Sequence, residues 1–69
     1  MVSGETIRLI RNWRKLAQKQ AASLLGISQP AYSKLEKKKE INGRLLEKIK
    51  KAFLCTDDDL QRFTPPENK

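Results

Sequence analysis

The chain contains no histidine, a single cysteine and no long hydrophobic run. Without histidine, neither a histidine base nor a zinc site built from several Cys and His ligands can be assembled. The lone Cys55 cannot form an internal disulfide, and we interpret it as a small buried apolar residue. No segment approaches the roughly 20 apolar residues of a membrane span, and the N-terminus lacks the apolar core of a signal peptide. We therefore expect a cytoplasmic protein with no cofactor, no metal and no membrane contact.

Acidic residues are outnumbered by basic ones, 8 against 15, and the net charge is +7. Residues 1–54 hold 13 Lys and Arg against 4 Glu, which gives +9, whereas residues 55–69 hold 2 against 4, which gives −2. A positive field of this kind suits a polyanion, although a membrane surface or an acidic protein would be equally compatible with charge alone.

The size of the chain favours binding over catalysis. A chain of 69 residues, 38% of them hydrophobic, can form one small helical bundle but no deep catalytic cleft. The sequence shows no thiolate beside a base, no phosphate-binding glycine loop and no separated pair of carboxylates. We therefore predict that the protein is not an enzyme.

Helix-start and helix-stop residues predict an all-α fold. Ser3, Ser28, Asn42 and Thr56 can cap helix N-termini through their side-chain oxygens, and Gly26 can end a helix in the left-handed conformation. Apolar residues recur at helical spacing between these signals. The predicted helices cover about residues 4–15, 18–25, 29–37, 43–54 and 57–63.

The second and third of these helices are joined by a three-residue turn at positions 26–28. At about 100° per residue, the third helix has one packing side and one outward side. We assign Ala31, Tyr32 and Leu35 to the packing side. The outward side has no apolar residue able to anchor it, and it carries Gln29, Pro30, Ser33, Lys34 and Lys37.

The segment GISQPAYSKLE, with Gln18 opening the helix before it, resembles the helix-turn-helix of phage repressor and Cro proteins, the XRE-like family of bacterial regulators. The resemblance covers roughly residues 6–60. It implies a compact five-helix, lambda-repressor-like DNA-binding domain at residues 1–63. Residues 64–69, which contain Pro65 and Pro66, are expected to form a disordered tail. In this family the helix corresponding to 29–37 enters the DNA major groove, and the helix before it crosses the DNA backbone.

The resemblance therefore implies a sequence-specific, DNA-binding transcriptional regulator. It further implies a repressor that acts as a homodimer on a palindromic operator, with half-sites about 34 Å apart on double-stranded DNA. The residues expected to contact bases are Gln29, Pro30, Ser33 and Lys34. The residues expected to contact phosphates are Gln18, Lys37, Lys38, Lys39 and Arg44. The alternative for the three consecutive lysines is a solvated charge run without a ligand.

By the same resemblance, Arg11 and Glu36 form a structural ion pair that ties the first helix to the end of the third. The alternative is two solvated surface charges. Ala17 and Lys38 also depart from the family pattern. Ala17 replaces the usual Ser or Thr cap of the second helix. Lys38 replaces a common glycine. Because lysine is strained in a left-handed C-cap, we expect either a longer third helix or a different loop path after it.

Three apolar residues lie outside the predicted core stripes. Leu9 and Trp13 lie four residues apart on the first helix, and Leu24 stands where the family usually has a polar residue. We expect a C-terminal helix to cover Leu9 and Trp13; the alternative is a dimer or partner surface that includes all three. The consecutive carboxylates at positions 57–59 point in different directions, so we predict no metal site there.

A second hypothesis assigns the chain to another functional class. The protein would then be an antitoxin-like or adaptor protein whose main partner is another polypeptide. Affinity for a protein partner would survive high salt, whereas affinity for DNA falls steeply with salt concentration.

Overall fold

The computed structural model describes residues 2–64, and Met1 and residues 65–69 lie outside the described part of the chain. The tail predicted at 64–69 therefore falls outside it except for Thr64. The described residues form five α-helices and no strand, which confirms the predicted all-α class. The helices are α1 (Gly4–Trp13), α2 (Gln18–Leu25), α3 (Gln29–Glu36), α4 (Gly43–Phe53) and α5 (Asp57–Arg62).

The order of the helices and all five starts agree with the prediction, but four helix ends do not. In α3, α4 and α5 the last predicted residue, Lys37, Leu54 or Phe63, is instead the C-cap. The prediction for α1 was wrong by two residues, because Arg14 is its C-cap and Lys15 has a left-handed φ of 59°. The chain leaves the right-handed helical conformation at that residue and cannot continue α1.

The caps explain why the helices start where they do. The side-chain oxygens of Ser3, Ser28, Asn42 and Thr56 each accept a hydrogen bond from a backbone N–H in the first turn of the following helix. Ala17 has no such oxygen, and the Gln20 side chain compensates in part by accepting a 2.8 Å hydrogen bond from the Ala17 N–H. The first turn of α2 is therefore held by a residue inside the helix.

The core lies between the helices and is built around Tyr32 and Phe53, whose side chains are almost fully buried. Helix α3 packs against α1 and α2, while α2 also packs against α4 and α1 against α5. The other buried apolar residues are Ile7, Ile10, Ala21, Ala22, Leu35, Ile41, Ile49, Cys55 and Leu60. The burial of Cys55 agrees with its interpretation as a core residue.

No helix within residues 2–64 combines the length and the apolar character that crossing a bilayer requires.

Leu54 ends α4 in a strained conformation. Its φ of 56° lies in the left-handed region, where a side chain with a Cβ costs about 1–2 kcal/mol. The side chain is 75% exposed, so it contributes little buried apolar area. Glycine at this position would relieve the strain and remove few contacts.

We predict that Leu54→Gly raises the free energy of unfolding by about 1 kcal/mol, measured by urea denaturation at pH 7. Lys51→Gly is the matched control, because it places glycine at an exposed position inside α4, where it should lower the free energy of unfolding by about 1 kcal/mol. A loss of stability in Leu54→Gly would contradict the account of strain.

Candidate nucleic-acid interface

The outward face of α3 is polar and basic. Gln29, Pro30 and Lys34 are exposed, and Ser33 is half-buried between them and the core side of the helix. These are the four residues that the sequence predicted to contact bases, and the structure brings them together on one short helix. The face offers amide, hydroxyl and ammonium groups, all of which can hydrogen-bond to the edges of DNA bases.

Ala31 also belongs to this face, and its assignment to the packing side was wrong. It is exposed, whereas Tyr32, Leu35 and Glu36 are buried. At 3.6 residues per turn, Ala31 lies about 40° from Leu35 around the helix axis, on the side opposite to Tyr32. Ala31 is therefore just outside the buried side of the helix. Alanine is compatible with either a buried or an exposed position. Hydrophobicity alone therefore could not show that Ala31 lies outside the buried side of α3.

The turn before α3 sets the direction in which this face points. Gly26 has φ 73°, and its backbone N–H bonds back to the carbonyls of Ala22 and Ser23, which ends α2. Two residues later the Ser28 hydroxyl accepts a 3.3 Å hydrogen bond from Ala31 N–H and starts α3. A left-handed residue followed at once by a cap allows the chain to turn sharply, so that α3 leaves α2 at a fixed angle.

Behind the face, the Glu36 carboxylate joins three helices. Arg11 Nε of α1 donates to Glu36 Oε2 at 2.5 Å, and Arg11 Nη2 approaches Oε1 at 3.4 Å. Gln18 Nε2 of α2 donates to the same Oε1 at 3.0 Å. Arg11 Nη1 also donates to the Leu16 carbonyl oxygen at 2.8 Å. We call Arg11, Gln18 and Glu36 the carboxylate cluster.

The cluster is shielded from solvent, because the side chains of Arg11 and Glu36 are only 12% and 4% exposed. Burial alone would raise the pKa of Glu36, but the hydrogen bonds donated by Arg11 and Gln18 lower it below its ordinary value. The pKa of Arg11 is raised by its hydrogen bond to Glu36. The ion pair is therefore charged at neutral pH, and it links α1 to the end of α3.

Tyr32 lies behind the same carboxylate. Its side chain is fully buried, and its hydroxyl has no hydrogen-bond partner among the described residues. Burial, together with the negative charge of Glu36, raises the pKa of Tyr32 well above its ordinary value. Tyr32 is therefore neutral and serves mainly as a large core side chain beneath α3.

The predicted phosphate contacts occupy three places. Lys37, Lys38 and Lys39 are exposed in the loop after α3, and Arg44 is exposed in the first turn of α4. None of these four forms an ion pair with any residue between positions 2 and 64. Gln18 differs from them, because its amide N–H already donates to Glu36.

Of the candidate partner residues, Trp13 and Leu24 have different neighbours. Trp13 is 44% exposed, and its ring packs against the Phe63 ring at a tilt of 44° with 5.4 Å between centroids. The Arg14 guanidinium lies 4.6 Å from the centre of the Trp13 ring. Leu9 is half-buried. Leu24 is 53% exposed and lines an open groove between α2 and α4 with Leu25, Lys48, Lys51 and Ala52.

The C-terminal helix predicted to cover Leu9 and Trp13 covers Trp13 only in part. Phe63 directly follows α5 and contacts Trp13, but it leaves nearly half of the Trp13 side chain exposed. An exposed tryptophan beside an arginine is a composition typical of protein interfaces. Whether a partner uses Trp13 stays a prediction.

The carboxylates at the start of α5 have other partners. Asp57 pairs with Lys50 at 2.7 Å, and Asp59 accepts a 3.0 Å hydrogen bond from the Thr56 N–H. These contacts join α4 to α5 and cap α5. Within the described residues, no group of three or more acidic, Cys or His side chains is arranged to hold a metal ion.

Comparison with known proteins assigns the chain to a family. A family model described as helix-turn-helix matches residues 7–60. The match includes the whole of α2 and α3 and the turn between them. No curated protein and no solved structure gave a significant match.

We predict that Glu36→Gln lowers the free energy of unfolding by about 3 kcal/mol at pH 7, because it leaves the buried Arg11 charge without its partner. Since the folded-state pKa of Glu36 is depressed, its stabilising effect is complete above its ordinary pKa of 4.5 and is lost as the pH falls through the folded-state value. Urea denaturation between pH 7 and pH 3 should show the difference between the two proteins shrinking.

Glu40→Gln is the matched control for this experiment. Glu40 is an exposed carboxylate outside the cluster, so its loss should change stability at pH 7 by less than about 0.5 kcal/mol. An equal effect of the two substitutions at pH 7 would show that the cluster has no special role.

Proposed function

We propose that this chain, which belongs to the XRE-type (Cro/C1-type) helix-turn-helix family, is a transcriptional regulator that reads duplex DNA with α3. Family membership makes it a DNA-binding regulator of the XRE type. The family match is to a DNA-binding regulatory domain and not to a catalytic one. We further propose that the protein contacts an operator through α3, represses transcription, acts as a dimer and is located in the cytoplasm.

The observation that supports the proposal best is the contrast between the two sides of α3. The inner side is held by buried Tyr32 and Leu35 and by the carboxylate cluster at Glu36. The outer side carries polar and basic groups that no other helix covers. A short helix that is fixed by contacts on its inner side is suited to insertion into a DNA groove, because little conformational entropy of the helix is then lost on binding.

The chemistry of the outer side suggests how bases would be read. The Gln29 amide can form two hydrogen bonds with adenine, and the Lys34 ammonium can donate to guanine, with about 1–3 kcal/mol of discrimination for each good pairing. Ser33 can bond to more than one base. Pro30 and Ala31, which are both exposed, can only make apolar contacts through their side chains, and a thymine methyl group is a suitable partner.

The exposed cations around α3 would hold the protein on the DNA backbone. Lys37, Lys38, Lys39 and Arg44 follow α3 in the chain and have no intramolecular ion pairs among the described residues. Contacts to phosphates carry no direct sequence information, so they should contribute equally on every sequence. Gln18 would reach a phosphate only through the part of its side chain that does not bond to Glu36.

We also propose that the protein represses transcription as a homodimer on a palindromic site. A two-fold dimer places two copies of α3 in successive major grooves, about 34 Å apart. Trp13, partly covered by Phe63, is our candidate for the dimer contact. Leu24 lies in a different groove and would belong to a second contact surface.

A protein partner is the second candidate function. The specific observation in its favour is the exposure of Trp13, Leu24 and Leu54, which are 44%, 53% and 75% exposed. Leu24 lies with Leu25 and Ala52 in one open groove between α2 and α4, and apolar residues grouped in this way can mark a binding surface. An antitoxin-like or adaptor protein could use them and still bind DNA through α3, so the two functions are compatible.

To test base reading, random-sequence duplex DNA is selected on the protein at several salt concentrations, and the retained molecules are sequenced. We predict enrichment of a two-fold symmetric motif that is lost in Gln29→Ala and Lys34→Ala, since both remove hydrogen bonds to bases. Arg62→Ala, on the exposed side of α5, is the control and should retain the motif. Retention of DNA without any motif would overturn sequence-specific reading and favour the protein-partner function.

Arg44→Ala tests the separate role of the phosphate contacts. We predict that it weakens binding to specific and unrelated DNA by the same factor and reduces the slope of log K against log[salt] by about one. Titration of both DNAs at three salt concentrations measures this. A change in base preference instead would show that Arg44 reads sequence.

A further inference from the structure

We infer that residues 2–4 position the loop that carries Lys37, Lys38 and Lys39, and that the affinity for DNA phosphates depends on this N-terminal segment. We call residues 37–40 the lysine loop. The inference rests on the proposed function, because it assigns the loop to DNA. It concerns Gly4 as a positioning residue, which touches no DNA itself.

Two backbone hydrogen bonds join the N-terminal segment to the loop. Gly4 N–H donates to the Lys38 carbonyl oxygen at 2.8 Å, and Ile41 N–H donates to the Val2 carbonyl oxygen at 2.7 Å. The two bonds hold the chain at Lys38, within the loop, and at Ile41, directly after it. The N-terminal segment is itself anchored, because Val2 packs against the core and Ser3 caps α1.

The Gly4–Lys38 bond requires α1 to start almost against the end of α3. A Cβ on Gly4 would lie 2.5 Å from the Glu36 carbonyl oxygen and would overlap the Leu35 carbonyl oxygen as well. Both of these atoms are backbone, so they cannot move aside as the end of a flexible side chain could. Only glycine allows the N–H groups at the start of α1 to approach the carbonyls at the end of α3 so closely.

The loop needs this external support because it lacks a support of its own. A helix commonly ends in a left-handed residue whose bonds fix the following chain. No described residue of the lysine loop has a positive φ, and α3 ends instead with Lys37 in a right-handed conformation. Beyond Lys38, whose N–H bonds to the Leu35 carbonyl at 3.2 Å, the N-terminal segment and buried Ile41 hold the chain.

This arrangement has a consequence for binding. The side chains of the three lysines are exposed and free of ion pairs within the described residues, so their position is set by the backbone that carries them. A loop held at two points presents these charges in one arrangement, and less conformational freedom is then lost on binding. Releasing the loop should weaken phosphate contacts on every sequence.

The first test measures the loop without DNA. Backbone amide hydrogen exchange is followed by NMR in the unaltered protein, in Gly4→Ala and in Gly43→Ala. We expect the Ile41 amide to be protected in the unaltered protein and to exchange at least about tenfold faster in Gly4→Ala. Gly43→Ala is the matched control, because its added Cβ meets no atom within 4 Å, and it should leave the exchange unchanged.

The second test asks whether Gly4 acts on DNA binding through the lysines. Gly4→Ala is combined with a variant in which the three loop lysines are alanine, and DNA affinity is measured in all four proteins while circular dichroism confirms that each is folded. Alone, Gly4→Ala should weaken binding about five- to tenfold and reduce the salt slope by about one to two. In the lysine-free background it should have almost no effect on the affinity for unrelated DNA, to which base reading by α3 does not contribute.

Three results would overturn the inference. Unchanged exchange of Ile41 in Gly4→Ala would show that the segment does not hold the loop. An equal loss of affinity with and without the lysines would show a purely structural effect. Full affinity in the lysine-free variant would show that the loop does not serve DNA, although an operator motif read by Gln29 and Lys34 would leave the proposed function intact.

Gly4→Ala could also fail to fold, since the overlap involves backbone atoms. Val2→Gly then takes its place, because it loosens the anchor of the segment but adds no Cβ at Gly4. It should likewise speed Ile41 exchange and should lower DNA affinity only when the three lysines are present. The absence of either effect would count against the inference.

Discussion

The buried carboxylate of Glu36 is the constraint on which the rest of the structure depends. A carboxylate this far from water must be paired and hydrogen-bonded, and its partners come from two other helices, Arg11 of α1 and Gln18 of α2. Because α1, α2 and α3 must all reach one group, their relative positions are fixed. Removing one partner of such a pair costs about 3–5 kcal/mol, a large share of the 5–15 kcal/mol that stabilises a typical domain.

This constraint explains how so short a helix can keep a fixed position with one side exposed. An isolated helix of eight residues is barely stable in water, so α3 exists because its inner side is packed and its end is bonded. Apart from the Ser28 cap, the groups that stabilise it lie on that inner side. The outer side is therefore free to vary in sequence without loss of the fold, which is compatible with the proposed reading of DNA sequence by this side.

Local signals were enough to predict the elements but not the contacts between them. The caps at Ser28 and Asn42 and the left-handed Gly26 follow from chemistry within a few residues, so the helix starts could be predicted. The end of α1 could not, because nothing in the side chain of Lys15 favours its left-handed φ. The exposure of Ala31 likewise depends on where the neighbouring helices stop.

In the candidate site, too, some features could be predicted from the sequence and others could not. The resemblance to a known family pointed to Arg11, Glu36 and the outward residues of α3, and the structure places the first two in contact and the others on one face. The role of Gly4 was missed, since its sequence context shows only a helix start. The close approach of α1 to the end of α3 joins residues more than 30 positions apart, and no local pattern encodes it.

The most direct test of the central claim is an NMR titration of the protein with its selected DNA duplex. If α3 is the reading element, the largest changes in amide chemical shift fall on Gln29, Ala31, Ser33 and Lys34, with smaller changes in the lysine loop and none at α5. Changes centred on Trp13 and Phe63, with α3 unaffected, would contradict the account and indicate that DNA meets a different face of the molecule.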